Sequence, residues 1–505
     1  LDQSSHLPYV TSLKIIVDNI QTQLVISGHD DLIYPDILRD LRDYMAIDVP
    51  GAWFSPAYKR KQWDGKKYFL TPTGKLPTGL LPVLVKHLDN FYPELSLEVI
   101  DERGDIPTFK ANMITKIGSM VAEGEYEHQK HAIAAMDSWF AIRESEIPFP
   151  RGIINAATNA GKMAVIAGLY LNLEGDNKML VLIHNIGLFK QLVEEFEGIF
   201  PGEIGKINAS TYKPNTITVA MIKTLYNRIK ESINVKKDMK MFNVVAVDEC
   251  HLAGSKTYQG VLKNVPSPVR AFVSGTPFDS DAIINKMVAI GLSGPELYNI
   301  TKRELMDKGI SLECKVHIHL CHEPRAADDT WERARHNRIH HSARRAKIIH
   351  DILQEQKGST LIAVKEIEHG QLLCSSLQLM GNKSITFVYG QDPKREEKIQ
   401  DFKDGKIKVL ISTTILKEGA NIPIISNIIN AAAGKSRVDI KQWMGRGERT
   451  YGDMIEFTMH DFYDLGNYVE KHSRARRALY KKEQLEITEY YDSKIIRKIK
   501  SKTVA

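Results

Sequence analysis

Short apolar runs separated by helical segments dominate the chain from Gly152 onward. GIINA, KMLVLIH, TITVAM, FNVVAV and RAFVSG form one series. STLIAV, SITFVYG, KVLIST, IISNIIN and MIEFTM form a second, starting after about residue 342. Runs of this length without polar alternation suit strands buried on both faces, and the segments between them suit crossover helices. The pattern predicts an α/β protein with two parallel-sheet lobes in tandem, connected by the charge-rich stretch near 300–342.

The text before Gly152 is of another kind. Strand-like LKIIVDNI, TQLVISG and LSLEVI alternate with helix-like DILRDLRDYMAI, punctuated by Pro50-Gly51, Pro72, Gly74, Pro77 and Gly79. This predicts a small α+β domain over 1–110. A helical stretch around 111–143 leads into the first lobe, which runs to about 305. The second lobe with its connector follows over 306–470, and 471–505 is expected to be a basic helical tail.

At 505 residues the chain is too long for one core, and its 43% hydrophobic and 26% charged fractions are those of ordinary globular protein. No apolar run approaches the ~18 residues of a membrane span, and no signal peptide is read at the start. Four cysteines, Cys250, Cys314, Cys321 and Cys374, are too sparse for a disulfide framework. They fit a reducing cytosol. The group Cys314, His317, His319, Cys321 and His322 resembles a ligand set. It lies on a strand pattern that sends neighbours to opposite faces, without a second ligand pair at zinc-finger spacing, so a plain strand is the better reading.

Net charge is +6, and its placement changes the picture. Residues 471–505 hold eleven Lys or Arg against four acids, a local +7, leaving the remainder close to neutral. RARHNRIHHSARRAK (333–347) has six basic residues and no acid, and FSPAYKRKQWDGKK (54–67) has five against Asp64. One such run is usually a solvated face; three in one chain point towards a phosphate backbone.

The chemistry is carried by a few ordered motifs. After the strand ending near Asn155 come Thr158-Asn159-Ala160-Gly161-Lys162-Met163, an approximate phosphate-binding loop opening a helix. Small residues let backbone N–H groups wrap phosphates, and Lys162 neutralises β/γ charge. Met163 stands where a hydroxyl would normally reach Mg²⁺, and a thioether is a poor ligand for that hard ion. The strand FNVVAV then runs into Asp248-Glu249-Cys250-His251, a carboxylate pair at the strand end where such sheets bind ligand. Asp248 is expected to hold Mg²⁺ through water, and Glu249 to orient or deprotonate the attacking water. Ser274-Gly275-Thr276-Pro277 ends the next strand. Gln129, upstream, offers an amide donor and acceptor to an adenine edge. In the second lobe Arg446 and Arg449 in QWMGRGER have the planar forks of arginine fingers. Thr413, Thr414, Glu418, Gly419 and Asn421 sit on a loop suited to contacts with a strand and a nucleotide.

Gln129, TNAGK, DECH, SGTP, TTILKEGANIP and QWMGRGER, in this order over about 125–470, resemble the helicase motifs of superfamily 2. FSPAYKRKQWDGKKYFL with LPTGLL, and RELMDKGISLECKV further on, resemble the branch-migration helicases of phage. The resemblance implies RecA-like lobes and ATP with Mg²⁺ as cofactors. It implies translocation on branched or fork DNA, with regression of forks, migration of Holliday junctions and roles in recombination and repair. It implies a DNA-binding N-terminal domain. Lys162, Asp248, Glu249, Arg446 and Arg449 would be nucleotide-site residues, with Gln129, Thr158, Asn159, Ala160, Gly161, Met163 and Gly419 around the nucleotide. The candidate nucleic-acid residues are Lys59, Arg60, Lys61, Trp63, Lys66, Lys67, His184, Thr413, Arg474, Arg476 and Arg477. For Trp63 a packing role is the stronger reading. No membrane association is expected, and a monomer is the working expectation. An RNA helicase, a restriction-type motor subunit and an ATP-gated DNA clamp with weak hydrolysis remain as alternatives.

Overall fold

The computed structural model describes residues 12–27, 34–111, 116–117, 120–121, 126–278, 283–322, 330–413, 425–448 and 455–500. The chain forms two compact units: residues 1–156 with 161–300, and residues 157–160 with 301–505.

The first unit begins with a four-stranded sheet in the order Lys75–Pro77, Gln21–Ser27, Ser12–Val17, Leu97–Asp101. Strand Ser12–Val17 alternates as a half-buried strand must, turning Leu13, Ile15 and Val17 inward. Helix Leu81–Phe91 opens on Pro82 and buries Leu81, Leu84, Val85 and Leu88, the spacing of one helical face. These side chains make one core, against which Ile284, Met287 and Ile290 of helix Ile283–Leu292 also pack.

The small domain is therefore welded to the lobe that follows it. Gly79 lies so close to this helix that a Cβ would overlap the Ile290 carbonyl. Arg151, at 0% exposure, donates to the backbone carbonyls of Ser293, Leu292 and Asn19, tying lobe and domain together. Arg270 nearby is caged by the carbonyls of Ser267, Leu262, Val265 and Leu292. Burial, and then the neighbouring Arg270 charge, pull the Arg151 guanidinium well below its usual pKa.

The lobe itself is an eight-stranded sheet ordered Tyr212–Lys213, Ile204–Ile207, Ile217–Met221, Met179–Ile183, Val244–Asp248, Val269–Ser274, Arg151–Ala156, Glu296–Ile300. All pairings are parallel except that of Tyr212–Lys213. Met179–Ile183 and Val244–Asp248 are buried at every position, as a sheet covered on both faces requires. Among the described residues of the stretch expected to be helical over 111–143, the α-helix is Glu127–Ala134. The chain then turns into the hairpin Trp139–Ile142 with Ser145–Pro148, because aromatic and β-branched residues there feed the small domain's core.

The second unit holds another eight-stranded sheet: Ile385–Val388, Val409–Ser412, Thr360–Ala363, Asn427–Asn430, Glu456–Asp464, Glu313–Cys321, Glu486–Tyr491, Lys494–Ile499. The KVHIHL strand pattern, within the charge-rich stretch near 300–342, is Glu313–Cys321, an interior strand paired on both sides. One expectation is corrected. The tail is helical only over Val469–Lys482. It then returns as the hairpin Glu486–Tyr491 and Lys494–Ile499, which extends the sheet. The β-branched neighbours Ile487 and Thr488, both buried, and the two tyrosines after them outweigh the basic composition. No described helix is long and apolar enough to cross a membrane.

Candidate nucleotide site

The phosphate-binding loop leaves the end of strand Arg151–Ala156 and enters helix Lys162–Asn172. Asn159 and Gly161 take left-handed backbone, φ 71° and 75°, which bends the loop back on itself. At Gly161 close approach adds to this requirement: a Cβ would overlap the Nε2 of Gln129. Gln129 is buried on helix Glu127–Ala134, so its amide is held over the loop's glycine. Lys162 occupies the first helical position, with Met163 half-buried behind it.

Asp248 ends strand Val244–Asp248, adjacent to Val273 on the next strand. Glu249 follows in left-handed backbone, φ 53° and ψ 53°, a strained conformation for a non-glycine residue. The Ser274 hydroxyl donates to Glu249 Oε2 at 3.2 Å and accepts from the Thr276 amide at 3.1 Å. His251 Nδ1 lies 3.2 Å from Glu249 Oε2 and 3.5 Å from both the Ser274 and Thr276 hydroxyls.

These surroundings push the two neighbouring carboxyls apart. Burial, and then the charge of Glu249, raise Asp248 to about 7. Burial also disfavours ionised Glu249, yet the His251 hydrogen bond and the Lys162 charge outweigh it and hold Glu249 below the usual range. Glu249 is thus held as an anion, while Asp248 is costly to ionise unless a cation shares its charge. Asp248 Oδ1 is buried and has no hydrogen-bond partner among the described residues. A bare carboxylate oxygen of this kind fits Mg²⁺, a hard cation that takes oxygen ligands. Asn159 Nδ2 is a buried donor left similarly open.

The other candidate residues fall into distinct settings. Thr158 and Ala160 lie on the loop described above. His184 follows strand Met179–Ile183, the neighbour of the strand that ends in Asp248. Arg446 is buried near the C-terminal end of helix Arg437–Gly447, and Thr413 is buried just after strand Val409–Ser412. Gly419 and Arg449, with Thr414, Glu418 and Asn421, lie outside the described residues.

Lys59, Arg60, Lys61 and Lys67 are exposed and Lys66 half-buried around the short helix Pro56–Lys59 and strand Lys66–Tyr68. Trp63 is half-buried, its indole N–H donating to the Lys66 carbonyl at 2.8 Å, so it packs this turn. Arg474 pairs with Glu470 and Arg477 with Glu489, both at 2.6 Å. Arg476 is a correction. At 1% exposure it binds Asp461 and the carbonyls of Ala433, Gly434 and Phe462, a core position out of reach of any ligand strand. His251 was missed as a site residue, although its place in DECH was the available signal.

His317 and His319 share a face of their strand and gather with His460 and Tyr490. His319 Nε2 lies 3.1 Å from His460 Nδ1, and the His319 ring stacks on Tyr490. Among the described residues, no group of three or more His, Cys, Asp or Glu side chains is arranged to hold a metal ion.

Three family models match: "DNA helicase UvsW, N-terminal" over residues 29–98, "Type III restriction enzyme, res subunit" over 124–279, and "Helicase conserved C-terminal domain" over 344–450. The ATP-dependent DNA helicase uvsW of Enterobacteria phage T4 is 23% identical over 87% of this chain and 89% of its own. Dbp5 of S. cerevisiae, solved with RNA and ADP BeF3, matches in fold at 15% identity and TM-score 0.51, over 72% of this chain and 89% of that one. The Type ISP restriction-modification enzyme LlaBIII, bound to DNA, matches at 14% identity and TM-score 0.51, over 78% of this chain and 32% of that one. Two RecA-like lobes with a phosphate-binding loop and a DECH acid pair define an ATP-dependent helicase of superfamily 2. Within that class, the chain is similar to the phage T4 helicase UvsW over most of its length, and its N-terminal domain matches the UvsW model.

Proposed function

We propose that this helicase acts on DNA, and on branched DNA in particular, coupling ATP hydrolysis to fork regression and junction migration. The observation that carries the chemical part is the split acid pair, with Glu249 held ionised by His251 and Lys162 beside the unpartnered Asp248 Oδ1. The DNA part rests on similarity to the T4 protein, whose name specifies a DNA helicase, and on the match to its N-terminal domain.

Lys162 and the loop amides bind the β- and γ-phosphates of ATP, and Gln129 serves the adenine edge. Glu249 orients the attacking water and takes its proton, while Ser274 and His251 keep that carboxylate in place. When Mg²⁺ is bound, Asp248 is its protein ligand and the ion neutralises phosphate charge. Arg446 and Arg449 supply cationic forks to the γ-phosphate. ATP then favours whichever conformation lets these groups meet it, and hydrolysis removes the preference. Contacts to the sugar-phosphate backbone make the motor read structure and salt more than sequence.

Steady-state ATP hydrolysis with Mg²⁺, measured alone, with a four-way DNA junction and with matched RNA, tests the proposal. Stimulation by the junction well above RNA supports it. Equal or greater stimulation by RNA replaces it with an RNA helicase. Tight DNA binding without hydrolysis leaves an ATP-gated clamp.

A further inference from the structure

Burying apolar side chains is the main favourable term of folding, so two adjacent large aromatics left in water need an explanation. Trp53 and Phe54 are 59% and 73% exposed, with ring centroids 5.7 Å apart. They are held on a rigid frame. Gly51, at φ 76°, starts the one-turn helix Ala52–Phe54, and Ala52 is buried as its anchor. Amide-to-carbonyl bonds run from Val49 to Gly65 (2.8 Å), Ala52 to Val49 (3.0 Å), Phe54 to Gly51 (3.0 Å) and Ser55 to Ala52 (2.9 Å). Pro56 then fixes the first turn of the next helix. Gly65, also in left-handed backbone, lets Tyr58 and Ala52 close over it; a Cβ there would stand 2.9 Å and 3.1 Å from them.

The surroundings specify a ligand with negative charge. Lys59, Arg60 and Lys61 follow within eight residues, and Lys66 and Lys67 lie on the strand paired to Ala46–Asp48. Among the described residues none of these five cations is in an ion pair. The acid in their midst, Asp64, is already bound by the Tyr68 hydroxyl (2.6 Å) and the Lys66 amide (3.0 Å). Flat apolar rings beside unneutralised cations match a polymer that offers flat rings and phosphates together.

We propose that Trp53 and Phe54 form a stacking platform for unpaired bases of a DNA strand, with Lys59, Arg60 and Lys61 holding the flanking phosphates. The inference rests on the DNA reading above and assigns it a base-contacting face in the N-terminal domain. Paired bases offer this platform no free ring face, so it discriminates branch points and single strands from continuous duplex.

Fluorescence anisotropy on the full chain tests it, with a fork carrying unpaired arms and a blunt duplex of equal length. The variants are Trp53→Ala/Phe54→Ala and Lys59→Gln/Arg60→Gln/Lys61→Gln, each checked for unchanged thermal unfolding. The aromatic variant is expected to lose at least about fivefold in fork affinity, with duplex affinity and salt slope retained. The charge variant is expected to weaken both substrates and flatten the salt slope. A fork affinity unchanged in the aromatic variant, with the charge variant impaired, overturns the platform while the DNA reading stands. If neither variant changes binding to either DNA, this face is no DNA surface and the platform is overturned; a parent chain that binds neither DNA overturns the DNA reading itself. A 2-aminopurine at the fork's first unpaired position should change emission with the parent and much less with the aromatic variant.

Discussion

His251 Nδ1 sits 3.2 Å from Glu249 Oε2, and its position is shared with the hydroxyls of Ser274 and Thr276. The imidazole thus joins the carboxylate assigned to proton transfer with the strand end that follows the acid pair. Glu249→Gln is expected to lower ATP turnover by ~10²-fold or more, the usual scale for losing a general base. His251→Ala should lower it less and should raise the acidic limb of the kcat–pH profile, because the hydrogen bond that holds Glu249 ionised is gone. An unaltered profile in His251→Ala would remove the histidine from the catalytic arrangement.

Gly161→Ala tests the packing of the phosphate loop. The new methyl strains a residue at φ 75° and meets the Gln129 amide. ATP affinity should fall at least about tenfold, a cost of ~1–2 kcal/mol from backbone strain alone. Gln129→Ala, alone and combined with Gly161→Ala, completes a cycle: the loss from Gly161→Ala that persists without the amide is strain, and the part that vanishes is collision.

Met163→Thr bears on the cation. A hydroxyl at this helical position adds an oxygen ligand where the parent has a half-buried thioether. The Mg²⁺ concentration giving half-maximal ATPase should fall roughly several-fold. No change would mean that the chain has no use for a hydroxyl here.

The imidazole group of the second unit makes stability pH-dependent. Burial lowers His317 to about 4 and His319 to about 3, and drives His460 well below its usual range. Unfolded histidines bind protons below about 6.5 whereas these do not until pH is much lower. Unfolding is therefore favoured as pH falls from 6.5 towards 4, by at most about 1.4 kcal/mol per pH unit for each ring. Thermal melts between pH 7.5 and 5 should show a steeper decline for the parent than for His460→Phe. Parallel curves would contradict the assignment.

Sequence and structure agree where the signal is local and repeated. The runs KMLVLIH and FNVVAV became fully buried parallel strands because nothing but burial on both faces suits them. The ordered motifs likewise located Lys162, Asp248, Glu249 and Gln129. What the sequence concealed depends on partners far along the chain. Arg476 belongs to a run of exposed-looking cations, and only the fold brings Asp461 to it. Trp63 and Trp53 stand in similar basic text, yet the backbone carbonyl of Lys66 engages one indole and leaves the other in solvent. KVHIHL is legible as a strand, but the charge-rich text around it gives no sign of its place in the sheet. Strands on both sides cover it nevertheless.

Arg151 has a consequence for how this protein can be taken apart. Its guanidinium takes one carbonyl from the small domain and two from the lobe, and the apolar helix beside it completes the small domain's core. The domain is thus no detachable accessory. Deleting residues 1–110 would strand a buried cation and bare the lobe's own helix, so truncation would report on misfolding before it reported on function. Exchange of this domain between relatives would succeed only when its docking helix travels with it, making the pair, and not the domain, the unit that inheritance can shuffle.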